Sequence, residues 1–162
     1  MVMNDIHSKM MQAAEALEND DQSRAEELFT DILRIVPDHY PALFNMGLIA
    51  QEKGDLEACE KFFRAALNQK PDDSDSLMEL GTIYLKQQLF DEAEEYYGKA
   101  LKFSGNNEIL YNNMGSLEFQ RKNYRKAKSY FRKALELDPD YQEARENLAL
   151  ANFYIDITSQ FI

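Results

Sequence analysis

A helix-breaking residue returns every 34 positions along this chain, at Pro37, Pro71, Gly105 and Pro139. A fixed period of that length means one supersecondary unit copied and stacked, which leaves few folds open. Other positions keep the same frame. Small residues stand at Ala13, Gly47, Gly81 and Gly115, preceded by Gln12, Met46, Leu80 and Met114. Twelve residues before each breaker come Ala25, Cys59, Ala93 and Ala127; eight before come Phe29, Phe63, Tyr97 and Phe131; five before come Ile32, Ala66, Ala100 and Ala134.

The physical sense of the frame is direct. Two antiparallel helices approach closely only where side chains are small, so the Gly and Ala positions mark the crossing of a first helix (A) against a second (B), with the aromatic filling the gap beside it. Pro ends helix B because it has no N–H to donate and disfavours helical angles in its predecessor. Asp72-Asp73 and Asn106-Asn107 then offer N-caps for the next helix A. At the turn between A and B only Gly54 is a glycine; Asp20, Gln88 and Lys122 hold the equivalent positions, which predicts differently capped turns there.

This frame resembles the tetratricopeptide repeat family, whose unit is a 34-residue helix-turn-helix, over about residues 6 to 139. The resemblance implies an all-α, right-handed α-solenoid of four repeats (about 6–39, 40–73, 74–107 and 108–141). A C-terminal cap helix follows over 140–156, with Leu148 and Ala149 at its buried positions, and then an apolar tail over 157–162. The first unit matches least well, with Lys9 where later units carry Leu43, Leu77 and Tyr111.

Composition agrees with helix and narrows function. Gly (6) and Pro (4) are scarce, while 44% of residues are apolar, which argues against disorder and against a turn-dense β fold. The net charge of −11 repels phosphate backbones, so nucleic acid is excluded as the main partner. All of that charge lies in residues 1–107, with 10 basic and 21 acidic groups; residues 108–162 carry 8 of each. Cys59 is the only cysteine, and no apolar run has the roughly 18 residues of a membrane span or the form of a signal peptide, which gives a cytoplasmic location as the expectation.

Catalytic chemistry finds no footing. His7 and His39 have no Cys or carboxylate at ligand spacing, Cys59 occupies a small buried repeat position, and no phosphate loop or nucleophile elbow is present. A non-enzyme without metal or cofactor is expected.

Binding is the remaining class. In such a solenoid helices A build the concave wall, whose rows would hold Met10, Phe44, Met78 and Asn112; then Ala14, Leu48, Thr82 and Ser116; then Leu17, Gln51, Leu85, Phe119 and Phe153. Asn45, Glu79, Asn113 and Asn147 run alongside, with Ile109 nearby. Apolar side chains here can grip, and Asn amides can pair with, an extended peptide, which the acidic first repeats would favour with basic flanks. Packing between adjacent helices A is the competing use of these rows. Relatives that grip a C-terminal carboxylate use Lys, Asn and Arg; the matching places here hold Met10, Ala14, Asn45, Asp75 and Glu79, so that clamp is not expected.

Two alternatives come from the same reading. Phe153, Tyr154, Ile155, Ile157, Phe161 and Ile162 would expose an apolar end able to dock on another copy as a homo-oligomer, and a small acidic repeat protein with an apolar groove also resembles bacterial secretion chaperones. The basic run Arg121, Lys122, Arg125, Lys126, Lys128, Arg132 and Lys133 reads either as an acid-binding face or as a solvated one paired with Glu94 and Glu95.

Overall fold

A computed structural model describes residues 2–159, excepting the side chain of Val2. Among the described residues every regular element is an α-helix: α1 Val2–Glu18, α2 Gln22–Ile35, α3 Tyr40–Glu52, α4 Leu56–Gln69, α5 Ser74–Lys86, α6 Phe90–Ser104, α7 Glu108–Gln120, α8 Tyr124–Leu137 and α9 Gln142–Ser159. Helices A start at Tyr40, Ser74, Glu108 and Gln142, and helices B at Gln22, Leu56, Phe90 and Tyr124, each 34 residues after the last. α9 runs through Ser159, so residues 157–159, expected in the tail, continue the helix; Phe161 and Ile162 lie outside the described residues.

The caps explain the starts. Asp21, Asp55 and Asn107 accept the backbone N–H three residues on, at 3.0, 3.0 and 2.8 Å. Asp73 does the same for Ser76 N–H at 2.8 Å, and His39 accepts Ala42 N–H on Nδ1 at 3.3 Å. Asp73 also accepts the Tyr40 hydroxyl at 2.6 Å. Burial works against the Asp73 carboxylate, but these bonds outweigh it and hold its pKa below the usual value.

The A–B turns correct the sequence reading. Asp20, Gln88 and Lys122 all adopt the left-handed conformation of Gly54, with φ of 58°, 61° and 64° against 73°. Each turn closes the same way: the N–H of the next residue reaches back to Ala16, Ala50, Tyr84 and Glu118 carbonyls at 2.8, 3.0, 2.9 and 2.8 Å. This is one Schellman turn used four times. The helix pair needs the turn, so three side chains sit where glycine is at ease.

The chain forms two compact units, residues 1–76 and 77–162. In the first, α1 packs on α2, α2 on α3 and α3 on α4. Ala13, Ala25, Phe29, Ile32, Ala42 and Ile49 are central to its core. Gly47 lies under the Phe63 ring so closely that a Cβ would come within 2.7 Å of it.

In the second, Gly81 and Gly115 bear the same relation to Tyr97 and Phe131. α6 packs on α7, α7 on α8, and α9 on both α7 and α8. α9 buries Ala144 and Ala151 but exposes Ala149, and Leu148 is half-buried, which corrects the expected pair. Ala149 stands at the Gly47, Gly81 and Gly115 position, whose burial depends on a helix B; among the described residues none covers α9 there.

Candidate functional site

In the first unit the structure gathers Asn45 and Leu48 of α3 with Leu17 at the end of α1. Together with Ile49 they line a cleft of about 240 Å³ whose rim carries Asp20, Gln22 and Glu52, the Gln22 amide donating to the Glu52 carboxylate. Leu17 remains 38% exposed despite its neighbours. Leu48 and Asn45 are half-buried; one N–H of the Asn45 amide donates to Pro41 O at 2.8 Å, which leaves a second N–H on the same nitrogen. An apolar floor, an amide and two carboxylates thus meet in one place.

The other expected residues of this unit serve packing. Met10 lies half-buried against the core. Phe44 meets the Phe63 ring edge-on at 5.6 Å and Tyr40 at 6.1 Å.

The second unit spends most of its expected residues internally. Asn112 is fully buried and Leu85 is 7% exposed, so neither presents a side chain to a ligand. The Asn112 amide donates to Glu143 Oε1 at 3.0 Å and to Tyr141 Oη at 3.4 Å, while its Oδ1 accepts from Asn147 at 3.0 Å, a polar lock between α7 and the start of α9. Burial, reinforced by the Glu143 carboxylate, pushes the Tyr141 hydroxyl pKa up to about 12. Thr82 donates to Met78 O at 3.1 Å and lies 3.1 Å from Tyr97 Oη; Ser116 donates to Asn112 O at 3.1 Å. Met78, Glu79 and Asn113 are half-buried, and Ile109 is 43% exposed.

Phe119 joins a ring cluster with Tyr124 and Tyr154, at 5.1 and 5.4 Å, in which the two tyrosines stack at 4.9 Å. Tyr154 thus makes ring contacts within its own chain while remaining 36% exposed, and Ile155 is half-buried. Phe153, Leu150 and Ile157 stand out at 58%, 45% and 36% exposure along α9.

Glu118 was not singled out from the sequence, yet it is the buried charge of this unit. It occupies the position of Ala16, Ala50 and Tyr84, is 1% exposed, and takes Lys126 Nζ at 2.6 Å on one oxygen and the Asn123 amide at 2.9 Å on the other. Arg121 lies 3.6 Å away and bridges onward to Asp91 and Glu94, both at 2.6 Å. The Glu94 carboxyl is held below its ordinary pKa by the Arg121 hydrogen bond, and the Lys126 ammonium above its own by the bond to Glu118. A carboxylate at a core position just before a basic run was the available signal. Glu95 pairs instead with Lys99, at 2.5 Å.

Cys59 is fully buried in its small-residue slot. Among the described residues no group of His, Cys, Asp and Glu could hold a metal ion, and no helix is long and apolar enough to cross a membrane.

Comparison with known proteins places these features in context. Two tetratricopeptide repeat models match, over residues 16–77 and 72–140. Among solved structures, PilW, described as a widely conserved type IV pilus biogenesis factor, superposes with a TM-score of 0.83 at 22% identity, over 91% of this chain and 69% of that one. MamA 41-end from Desulfovibrio magneticus gives 0.83 at 17% identity, covering 94% and 86%. A tetratricopeptide repeat protein from Parabacteroides merdae gives 0.79 at 21%, covering 94% and 61%. At these identities the likeness is one of fold, an α-solenoid of helical repeats. No curated protein matches the sequence.

Proposed function

The chain belongs to the tetratricopeptide repeat family, and from that premise we propose that it is a non-catalytic interaction scaffold that holds a peptide segment of another protein on its helices A. The cleft between α1 and α3 carries the reading. Leu17 and Leu48 offer apolar contact, Asn45 an amide for an extended backbone, and Asp20 and Glu52 a negative rim, which together suit an apolar side chain flanked by Lys or Arg. The cleft is small enough to seat one anchor rather than a whole ligand; in the second unit, taken by itself, the half-buried Met78, Glu79 and Asn113 and the exposed Ile109 are the candidate contacts.

The test is a panel of peptides with one apolar residue between basic flanks, titrated against wild type and Leu48→Lys by fluorescence anisotropy. Placing a cation on the floor of an acidic-rimmed cleft repels the basic flank and removes the apolar contact, so binding should fall at least about ten-fold, as loss of a hot-spot residue does. Equal affinity of Leu48→Lys with unchanged helicity refutes the cleft as the site.

A second reading is favoured by α9. Leu150, Phe153 and Ile157 form an exposed apolar line of the kind that marks an interaction surface. Sedimentation of wild type against Phe153→Asp checks whether that line joins two copies; a concentration-independent monomer in both removes it.

A further inference from the structure

Helices B occupy equivalent places in successive repeats, so their solvent faces can be compared position by position. On α8 that face forms a shallow groove of Arg125, Lys128, Ser129, Arg132, Lys133 and Glu136. On α2 it forms another, of Ser23, Glu26, Glu27, Thr30, Asp31 and Arg34. The two sets are the same repeat positions, 102 residues apart. Wherever both are charged the signs are opposite: Glu26 against Lys128, Asp31 against Lys133, Arg34 against Glu136. The net charge of these faces runs −2 on α2, 0 on α4, −1 on α6 and +3 on α8. Each also ends on an exposed aliphatic, Ile35 at 41% and Leu137 at 40%.

The α8 cations are unspent. Ion pairs of this helix stop at Lys126; Arg125, Lys128, Arg132 and Lys133 meet no carboxylate partner among the described residues, and Lys133 rests over the Tyr111 and Tyr130 rings at 5.4 and 5.7 Å. The α2 acids do have local partners, Glu26 with Lys53, Glu27 with Arg24, and Asp31 with Lys9 and Arg34. Such solvent-accessible pairs contribute little to stability, so they can be exchanged for an intermolecular partner.

We propose that the basic face of α8 docks on the acidic face of α2 in a second copy of this chain, with the two helices parallel and in register. Parallel alignment sets Lys128 against Glu26, Lys133 against Asp31 and Glu136 against Arg34. Antiparallel alignment still pairs Lys128 with Asp31 and Lys133 with Glu26, but it sets Arg125 against Arg34 and leaves Glu136 opposite Ser23, so the parallel register is the one with no like charges opposed. Each copy carries both faces, so the contact is heterologous. It involves neither the α1–α3 cleft nor the apolar line of α9. Polar and solvent-exposed, it is a weak, salt-dependent association.

Sedimentation velocity over a concentration series tests it, with circular dichroism to confirm folding of each variant. Wild type should associate at about 0.02 M salt and separate at about 0.5 M, where the Debye length falls to a few ångströms. Arg125→Glu/Lys128→Glu/Arg132→Thr makes both faces acidic, and Glu26→Lys/Glu27→Lys/Thr30→Arg makes both basic; each should be monomeric alone, and mixing the two should restore association. Arg34→Glu or Glu136→Arg alone should weaken association about three- to ten-fold, and the double exchange should recover it.

The proposal fails if wild type stays monomeric at low salt, if either triple variant associates as wild type does, or if the folded variants do not associate when mixed. It also fails if Phe153→Asp abolishes association while the triple variants leave it intact. Binding of a monomeric wild type to anionic lipid vesicles or to polyglutamate, lost in the α8 variant, would assign the basic face to a different partner and overturn the proposal as well.

Discussion

Adding one methyl group at Gly81 should destabilise the second unit, while adding the same methyl at Gly98, in the facing helix of the same repeat, should stabilise it. Both glycines lie within helices, at α5 and α6, and each change to alanine gains about 1 kcal/mol in helix propensity. Their surroundings differ. A Cβ on Gly98 meets nothing within 4 Å, whereas one on Gly81 would lie 2.5 Å from Tyr97 Cδ1 and 2.6 Å from Cε1. Carbon atoms sit comfortably about 3.5–4.0 Å apart, so the overlap is about 1 Å. The ring cannot step aside cheaply, being fully buried and in hydrogen-bond range of Thr82 Oγ1 through its hydroxyl.

Overpacking of a filled core costs roughly 1–3 kcal/mol or somewhat more. Because the propensity gain is common to both variants, the difference between Gly98→Ala and Gly81→Ala isolates that cost. Urea unfolding of the two against wild type measures it as midpoint shifts at constant slope, and both sites lie in one compact unit, so stepwise unfolding of the chain does not confuse the comparison. A double variant, Gly81→Ala with Tyr97→Leu, removes the ring that the new methyl would strike, and should show coupling of about 1 kcal/mol or more relative to the single changes. Equal stabilisation by the two alanines would refute the close A–B crossing on which the repeat geometry rests. The first repeat, with Ala13 buried at the same position, shows that a methyl fits when the facing ring is placed for it; Gly81 is predicted to suffer because Tyr97 is not.

Three further outcomes can be checked by the same melts. Gln88→Gly and Lys122→Gly relieve a left-handed residue worth about 1–2 kcal/mol but free the unfolded chain, so each should stabilise by roughly 0.5–1 kcal/mol, while Gly54→Ala should cost about as much. Glu118→Ala leaves Lys126 and Asn123 without their buried acceptor and should cost roughly 2–3 kcal/mol, less than a fully buried pair because Arg121 keeps Asp91 and Glu94; Glu118→Gln should cost less again. Asp73 has a folded pKa below its unfolded value of about 3.9, so its contribution is whole above that pH and is lost as pH falls through the folded value; Asp73→Asn should flatten the acid limb of the stability profile, and an unchanged limb would contradict the cap.

The repeat frame made most of the architecture legible, because each recurring residue type has one job. Proline stops a helix, glycine admits a ring, and aspartate or asparagine caps the next start. The A–B turns were misread because residue type is a weaker guide there than context: Gln88 and Lys122 look unlike Gly54, yet closure of the helix pair imposes the same backbone on all three. The candidate site was less legible for a related reason. A 34-residue frame shows which positions share a face, but a half-buried face can serve a ligand or a neighbouring helix: Leu85 is buried, Asn112 is bonded to Tyr141, Glu143 and Asn147, and Phe119 packs on Tyr124 of α8 and Tyr154 of α9. Asn112 is the clearest instance, since its partners Tyr141, Glu143 and Asn147 become visible only once α9 is in place.

Ala149 carries that argument one step further. A helix A in this fold has two obligations, one face toward its own helix B and one toward what precedes it, and the frame alone gives both the same weight. In α3, Gly47 is buried under Phe63 of helix B, and Ala42, Met46 and Ile49 join the core shared with α1 and α2. In α9 the second obligation survives, with Ala144 and Ala151 fully buried and Leu148 half-buried against Ala127 and Phe131, while Ala149 is exposed. Burial here is thus a property of the pair of elements rather than of the residue in its frame. The apolar line of Leu150, Phe153 and Ile157 stands beside this uncovered face on a helix of 18 residues, where α3, α5 and α7 have 13 each. The extra length carries Ile157 past the point where the shorter helices A have already turned, whereas Leu150 and Phe153 lie within the length those helices share and are exposed on the helix A frame itself.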